Sequence, residues 1–180
     1  MSSRRFVSPE KTIEEVGINK RDVVIDFGSG AGHWTFAAAK NLGPSGKVIA
    51  VDVSDELLKR IDGIALHRGY ANITTKHSNL LTLNIDRELL SDLSILANTL
   101  SSLRTKDIVL KKVYEFTKAG GKLLVVEWLK EETPIGPPKE KRLTKKELVE
   151  LTKKAGFKIL GEVDVGHYHY GIVFEKEKTV

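Results

Sequence analysis

The run Val23-Val24-Ile25-Asp26-Phe27-Gly28-Ser29-Gly30-Ala31-Gly32 constrains this chain more than any other stretch. Five residues with the composition of a buried strand enter three glycines at every second position. The segment Trp34 to Asn41 follows and reads as the first crossover helix. Glycine adopts backbone angles closed to other residues and lets a ligand approach the main chain. A helix that starts after such a turn aims free N–H groups at whatever sits there. Val48-Ile49-Ala50-Val51-Asp52 then reads as a second buried strand that ends in a carboxylate, 24 residues after Gly28. In dinucleotide folds an acid near that spacing takes the ribose hydroxyls.

The rest of the chain continues the strand–helix alternation, which argues for an α/β layer fold with a mostly parallel sheet. Ser8-Pro9-Glu10 starts a helix that runs to about Val16 and stops at Gly17, with Ser8 as its cap. Strands are expected at 22–27, 47–52, 73–77, 93–97, 122–128, 157–163 and 169–176. Helices are expected at 34–41, 55–68 and 105–117, and from Thr144 to Gly156. Ser54 caps the second of these and Gly69 closes it. Thr144 and Glu147 form a capping box. Ala119-Gly120-Gly121 reads as a turn between the 105–117 helix and the fifth strand. The link near Gly166 is so short that its two strands must be antiparallel neighbours.

At 180 residues the chain suits a single domain, 1–180. It is 41% apolar and 29% charged, in the soluble globular range. No apolar run reaches bilayer length, and the N-terminus lacks a signal core, so a cytoplasmic location is expected. With no Cys, disulfides, thiolate catalysis and cysteine metal sites are excluded. The scattered histidines show no ligand spacing, and no metal is expected. The net charge of +5 allows an anionic partner such as RNA, but Lys and Arg alternate with Glu as on a solvated face.

Two cofactor classes compete for the glycine turn. The NAD fingerprint is Gly-x-Gly-x-x-Gly. Here the third glycine comes one residue early and His33 stands in its place. Asp26 puts a carboxylate at the mouth of the turn, which repels a pyrophosphate and suits an ammonium group. A phosphate-free nucleoside with a cationic end fits better, and S-adenosyl-L-methionine has that chemistry.

Asp26-x-Gly28-x-Gly30-x-Gly32 resembles the first motif of class I S-adenosylmethionine-dependent methyltransferases. Val51-Asp52-Val53-Ser54 resembles the ribose-binding end of their second strand, and the 119–127 segment resembles the entry to their fifth. Glu127-Trp128, the 131–138 segment and Gly166-His167-Tyr168-His169-Tyr170-Gly171 are similar to small prokaryotic members of the group that includes the ubiquinone/menaquinone C-methyltransferases. The resemblance implies a Rossmann-like seven-stranded sheet, mostly parallel with an antiparallel last strand and helices on both faces. It implies that residues 1–20 cover the cofactor site. Asp26, Gly28, Ser29, Gly30 and Gly32 would hold the methionine portion, Asp52 the ribose, Val53 the adenine face, and Asn79 and Leu80 the adenine edge. The family often has Asp where Asn79 stands, and its amide oxygen would accept from the adenine amine. Asn98 would lie near the methyl group.

The acceptor should lie beyond the carboxyl ends of the strands, among 98–102, 128–138 and 165–168. Methyl transfer is an in-line displacement that needs alignment and exclusion of water. If a base is required, His167 and His169 are candidates by their ordinary titration range, and Glu127 is a candidate acceptor-site carboxylate. Against this, alternation along a strand turns only one of each neighbouring pair inward. A small-molecule acceptor is the leading expectation. RNA or protein methylation and a non-catalytic cofactor-binding subunit are the alternatives.

Overall fold

In the computed structural model, residues 7–178 are described. β-Branched and apolar residues dominate the strands, and the sheet they build has the order β3-β2-β1-β4-β5-β7-β6. β1 (Val23–Phe27) lies at its middle, paired in parallel to β2 (Lys47–Asp52) and β4 (Ser91–Ala97). β3 (Ile73–His77) continues outward from β2, and β5 (Thr117–Trp128) from β4. β7 (His169–Glu175) inserts antiparallel between β5 and β6 (Lys158–Val163). The mostly parallel seven-stranded sheet with an antiparallel last strand is therefore observed. Strand order reverses beside β1, and open α/β sheets leave a crevice at that point.

Alternation sorts the core into two faces. Val24, Val48, Ile95 and Leu124 meet α1 (Pro9–Val16) and α2 (His33–Asn41) through Ile13, Val16, Trp34 and Ala38. Ile25, Phe27, Leu96 and Val125 face α4 (Lys106–Phe116) and α5 (Lys145–Lys154) through Leu110, Val113 and Leu148. α3 (Asp55–Arg68) packs Leu58 and Ile61 on Ala50 of β2. Each such side chain contributes about 1.5–3 kcal/mol relative to exposure, so both faces need their helices. Between β3 and β4 the described chain contains no α-helix. An extended stretch buries Leu80, Leu83 and Ile85 and ends in the short turn Arg87–Leu89.

The caps form where local chemistry requires them. Ser54 Oγ accepts from Leu57 N–H at 3.3 Å, and Gly69 ends α3 with φ 72°. In the α5 capping box Thr144 N–H donates to Glu147 Oε2 at 2.8 Å and Glu147 N–H donates to Thr144 Oγ1 at 3.1 Å. The Thr144 N–H, and the Thr144 hydroxyl that also donates to Glu147 Oε2, hold the Glu147 carboxyl below its usual range.

Two expectations need correction. Ser8 occupies the cap position of α1 but its side chain makes no capping bond. Instead Thr12 Oγ1 donates to Ser8 O at 3.1 Å and to Asp164 O at 3.2 Å, tying α1 to the end of β6. The 119–121 segment is an irregular stretch inside β5, which starts at Thr117 rather than Lys122. Thr117 pairs with Ser91 before the register shifts ahead of Leu93. A buried chain of hydroxyls fixes this start: Ser91 Oγ to Ser94 Oγ at 2.7 Å, and Ser94 Oγ to Thr117 Oγ1 at 2.8 Å. The Ser94–Thr117 contact crosses from β4 to β5, so the helix-to-strand boundary is set by a partner distant in sequence.

Candidate functional site

The glycine turn leaves β1 at the crevice and enters α2. Gly28 N–H and Ser29 N–H both donate to Val51 O, at 2.8 and 3.0 Å, which pins the turn to the end of β2. Gly28 has φ 78°, and an added Cβ would lie 2.6 Å from Thr99 Oγ1. Thr99 is itself fixed, donating to Ala97 O at 3.1 Å and Phe27 O at 3.3 Å. Glycine is therefore required at position 28 by conformation and by contact together. Around Gly30 the space for a Cβ is open.

Asp52 is the hinge of this geometry. Oδ2 accepts from Gly30 N–H at 2.8 Å and Oδ1 from Ser54 N–H at 2.9 Å, so one carboxylate joins the turn to the start of α3. Asp26 lies deeper, 1% exposed, and accepts from Thr35 Oγ1 of α2 at 2.6 Å. Burial pushes its carboxyl up to about 6 against the pull of Thr35, and the charge of Asp52 adds to the rise. Ser29 Oγ is buried without a partner. Asp26 thus lies beneath the turn and not at its mouth as expected, because Thr35 of α2 holds it inside; the orphaned hydroxyl, the open glycine and the Asp52 carboxylate fit a polar ligand.

Gly28, Asp52, Val53, Asn79, Leu80 and Asn98 line one cavity of about 420 Å³, with Thr99 and Ser102 beside them. That is the size range of small-molecule sites. The structure thus brings together six of the residues singled out from sequence; Asp26, Ser29, Gly30 and Gly32 shape the adjoining turn. Val53 stands 62% exposed at the rim. Asn79 Oδ1 already accepts from Leu81 N–H at 2.9 Å, so only its second lone pair is open to a ligand. Asn98 has φ 55°, alone among described non-glycine residues in the left-handed region. Asn tolerates that conformation better than most, and here it turns the chain out of β4 at the cavity wall.

A second cavity, about 880 Å³, shares Asn98, Ser102 and Leu103 with the first. Trp128, Pro137, Arg142 and Leu143 contribute to its walls. Arg142 organises this side. Nε donates to Pro137 O at 2.8 Å, and Nη1 to Leu129 O and Glu131 O, both at 2.9 Å. Nη2 donates to Thr133 Oγ1 at 2.7 Å and Ile135 O at 3.3 Å. The guanidinium also lies 5.3 Å from the Trp128 ring centre. The loop shape therefore rests on one buried cation. Sequence reasoning missed Arg142 and Thr35, and placed Thr99 in the 98–102 segment without its contact to Gly28. Arg142 sits in a run of charges that reads as solvated surface, while the two threonines act through partners that periodicity does not reveal.

The three candidate proton acceptors stand apart. Glu127 and Tyr170 are opposite one another across β5 and β7, as are Trp128 and His169. Residues in register share a face, so Glu127 and His169 point to opposite sides of the sheet. Glu127 is fully buried, its Oε1 accepts from Ser101 N–H at 3.1 Å, and Oε2 has no partner. Burial pushes its carboxyl up. His169 packs on Trp128 with ring centres 4.1 Å apart. Burial, then the charge of Arg142, lowers it to about 4, and its buried Nε2 has no partner. His167 is exposed in the β6–β7 link. Tyr168 O of that link accepts from Leu129 N–H at 2.9 Å, which sets the link beside the loop. Tyr170 faces the core, and its hydroxyl donates to Leu143 O at 3.1 Å.

Among the described residues no three His, Asp or Glu side chains cluster as a metal site, and no helix is long and apolar enough to cross a membrane.

A family model described as a methyltransferase domain matches residues 18–168. A demethylmenaquinone methyltransferase of Anoxybacillus flavithermus is 30% identical over 71% of this chain and 54% of its own length. A ubiquinone/menaquinone biosynthesis C-methyltransferase of Hahella chejuensis is 31% identical over 69% of this chain and 50% of its own. The chain thus spans about half the length of these curated relatives. The crystal structure of a SAM-dependent methyltransferase from Aquifex aeolicus superposes with a TM-score of 0.88 at 27% identity, covering 95% of this chain and 90% of that one.

Proposed function

The chain belongs to the methyltransferase domain family, and from that premise we propose that it binds S-adenosyl-L-methionine and transfers the methyl group to a small-molecule acceptor. The observation that carries this reading is Asp52, whose carboxylate joins the glycine turn to α3 on the wall of a cavity that continues into a second one.

The sulfonium donor supplies an electrophilic methyl group. In this reading Asp52 takes the ribose hydroxyls, Val53 covers the adenine face, and Asn79 and Leu80 border its edge. Asp26, Gly28, Ser29, Gly30 and Gly32 hold the amino-acid end, with Ser29 Oγ free to bond it. Asn98 stands where the two cavities meet, near the methyl group. In the same reading the chain is one domain, and the described part of the 1–20 segment, residues 7–20, covers the cofactor side; residues 1–6 lie outside the described residues. A cytoplasmic location belongs to the same reading.

Alignment of donor and acceptor and exclusion of water carry the rate. Where an acceptor needs a proton removed, the candidates are His167, His169 and Glu127. Exposure favours His167. His169 is too weakly basic at neutral pH, and Glu127 lies beneath Ser101, where it positions the 100–102 turn.

Calorimetric titration with S-adenosylmethionine tests the core of the proposal. Binding that falls at least about tenfold in D52A, roughly 1.4 kcal/mol, supports it. No binding, or an unchanged affinity in a D52A protein that still melts cooperatively, defeats it. Methyl label that enters RNA or protein fractions and never small metabolites would replace the small-molecule acceptor with a macromolecular one.

A further inference from the structure

The larger cavity collects charge of one sign. Five cationic side chains line it against two carboxylates, and they are engaged to different degrees. Arg142 has its N–H groups committed to the loop. Lys106 donates to Leu103 O. Lys130 lies 3.8 Å from Glu147, whose carboxylate is also bonded to Thr144. Arg104 and Lys141 are exposed and have no carboxylate partner among the described residues. Glu140, also exposed, is the remaining acid of the wall.

A run of lysines on one helix is ordinarily a solvated face. This arrangement differs in two ways. Its cations come from separate segments, near 104–106, at 130 and at 141–142, so the fold and not the local sequence makes them converge. Between them lie apolar walls: Trp128, Leu103, Leu143 and Pro137. A concave site with low-dielectric walls and one sign of charge concentrates counter-charge.

We propose that the acceptor is a small amphipathic anion, with an apolar or aromatic body against Trp128 and Leu103 and a carboxylate or phosphate taken by Arg104 and Lys141. This rests on the reading above that the neighbouring cavity holds the methyl donor. The acceptor then enters with its charge at the outer rim and its methylated atom toward Asn98, where the cavities join.

The test uses the full chain, with and without S-adenosylhomocysteine, in saturation-transfer NMR titrations with benzoate, phenyl phosphate and neutral methyl benzoate. At least one of the two anions should bind about tenfold tighter than the ester. That preference should shrink with added salt, as screening requires, and R104A/K141A should bring the anions to the level of the ester. The ratio of benzoate to phenyl phosphate identifies the anion. Equal binding of ester and anions, no binding of either anion, or a preference untouched by salt and by the double variant overturns the proposal. So does a single-stranded RNA oligonucleotide that binds through the same two residues far more tightly than either anion. A separate titration with S-adenosylmethionine keeps the two readings distinct: its failure removes the methyl donor and leaves the anion preference standing.

Discussion

The two cavities are built from different materials. The turn beside the proposed donor is held through main chain: its N–H groups bond Val51 O and the Asp52 carboxylate, and glycine stands where Thr99 leaves no room. The wall that faces the proposed acceptor is held by a side chain, since the loop after Trp128 is fixed by the Arg142 guanidinium. Main-chain sites recur in sequence as glycine spacing. A loop organised around one arginine leaves no local pattern, although it determines as much geometry.

The largest expected effect separates the two halves. R142A removes five bonds to the 129–137 loop and should destabilise the fold by roughly 3 kcal/mol, since bonds from a charged donor are individually worth about 1.5–3 kcal/mol and are not additive. R142K should recover little of this, because an ammonium lacks the planar fork. Urea melts measure the loss, and calorimetry should find S-adenosylmethionine affinity within about threefold of wild type. A tenfold fall in that affinity would mean that the halves are not separable.

Asp26 gives the next largest effect, with the opposite sign. Its folded value of about 6 lies above its ordinary 3.8. The folded state therefore binds more protons between these values, and stability falls as pH rises from about 4 to about 6. D26N should stabilise the protein at pH 8 by about 1–3 kcal/mol, since two pKa units correspond to about 2.7 kcal/mol. The same variant should weaken donor binding. A gain in melting temperature without that loss would make Asp26 a purely structural acid.

G28A sharpens the contrast from the main-chain side. Its Cβ would meet Thr99 in a left-handed backbone, at about 1–2 kcal/mol, and donor affinity should fall. G30A meets no neighbour and should pay only for conformation, so its melting temperature should drop less. Equal losses would show that the close approach of Thr99 does not matter.

The smallest effect lies on the proposed acceptor side, at His169, whose partly exposed ring is screened by solvent where Asp26 is not. His169 is lowered to about 4 from 6.5, so the unfolded state binds more protons between these values. Its contribution is present above about 6.5 and is lost as pH falls toward 4. This slope opposes that of Asp26 across nearly the same window. H169F should expose the Asp26 slope, and D26N the His169 slope, in melts taken from pH 4 to 7. Because buried Glu127 also slopes downward with pH, the comparison is D26N against D26N/H169F: equal pH slopes in the two would contradict the burial of His169.

Much of the fold was legible because its signals are local. Ser54 and Gly69 bracket α3, and Thr144 with Glu147 start α5, at the residues expected from sequence. β2 and β3 fall on their expected bounds because β-branched residues between flanking breakers define them. β5 begins earlier than expected because Thr117 answers to Ser91 and Ser94 across the sheet. Glu127 and His169 could not be separated by spacing along the chain. Their opposite faces follow from the register of β7 on β5, a property of the pair of strands.

Arg142 also bears on how this scaffold can diversify. Four of its five acceptors are backbone carbonyls, and Thr133 supplies the fifth. Carbonyls are indifferent to the side chains that accompany them. The clasp can therefore hold many versions of the loop in one shape, and residues between 130 and 138, apart from Thr133 and Gly136 against Trp128, can be randomised with the scaffold kept constant. That makes the loop the natural cassette for changing what the larger cavity admits.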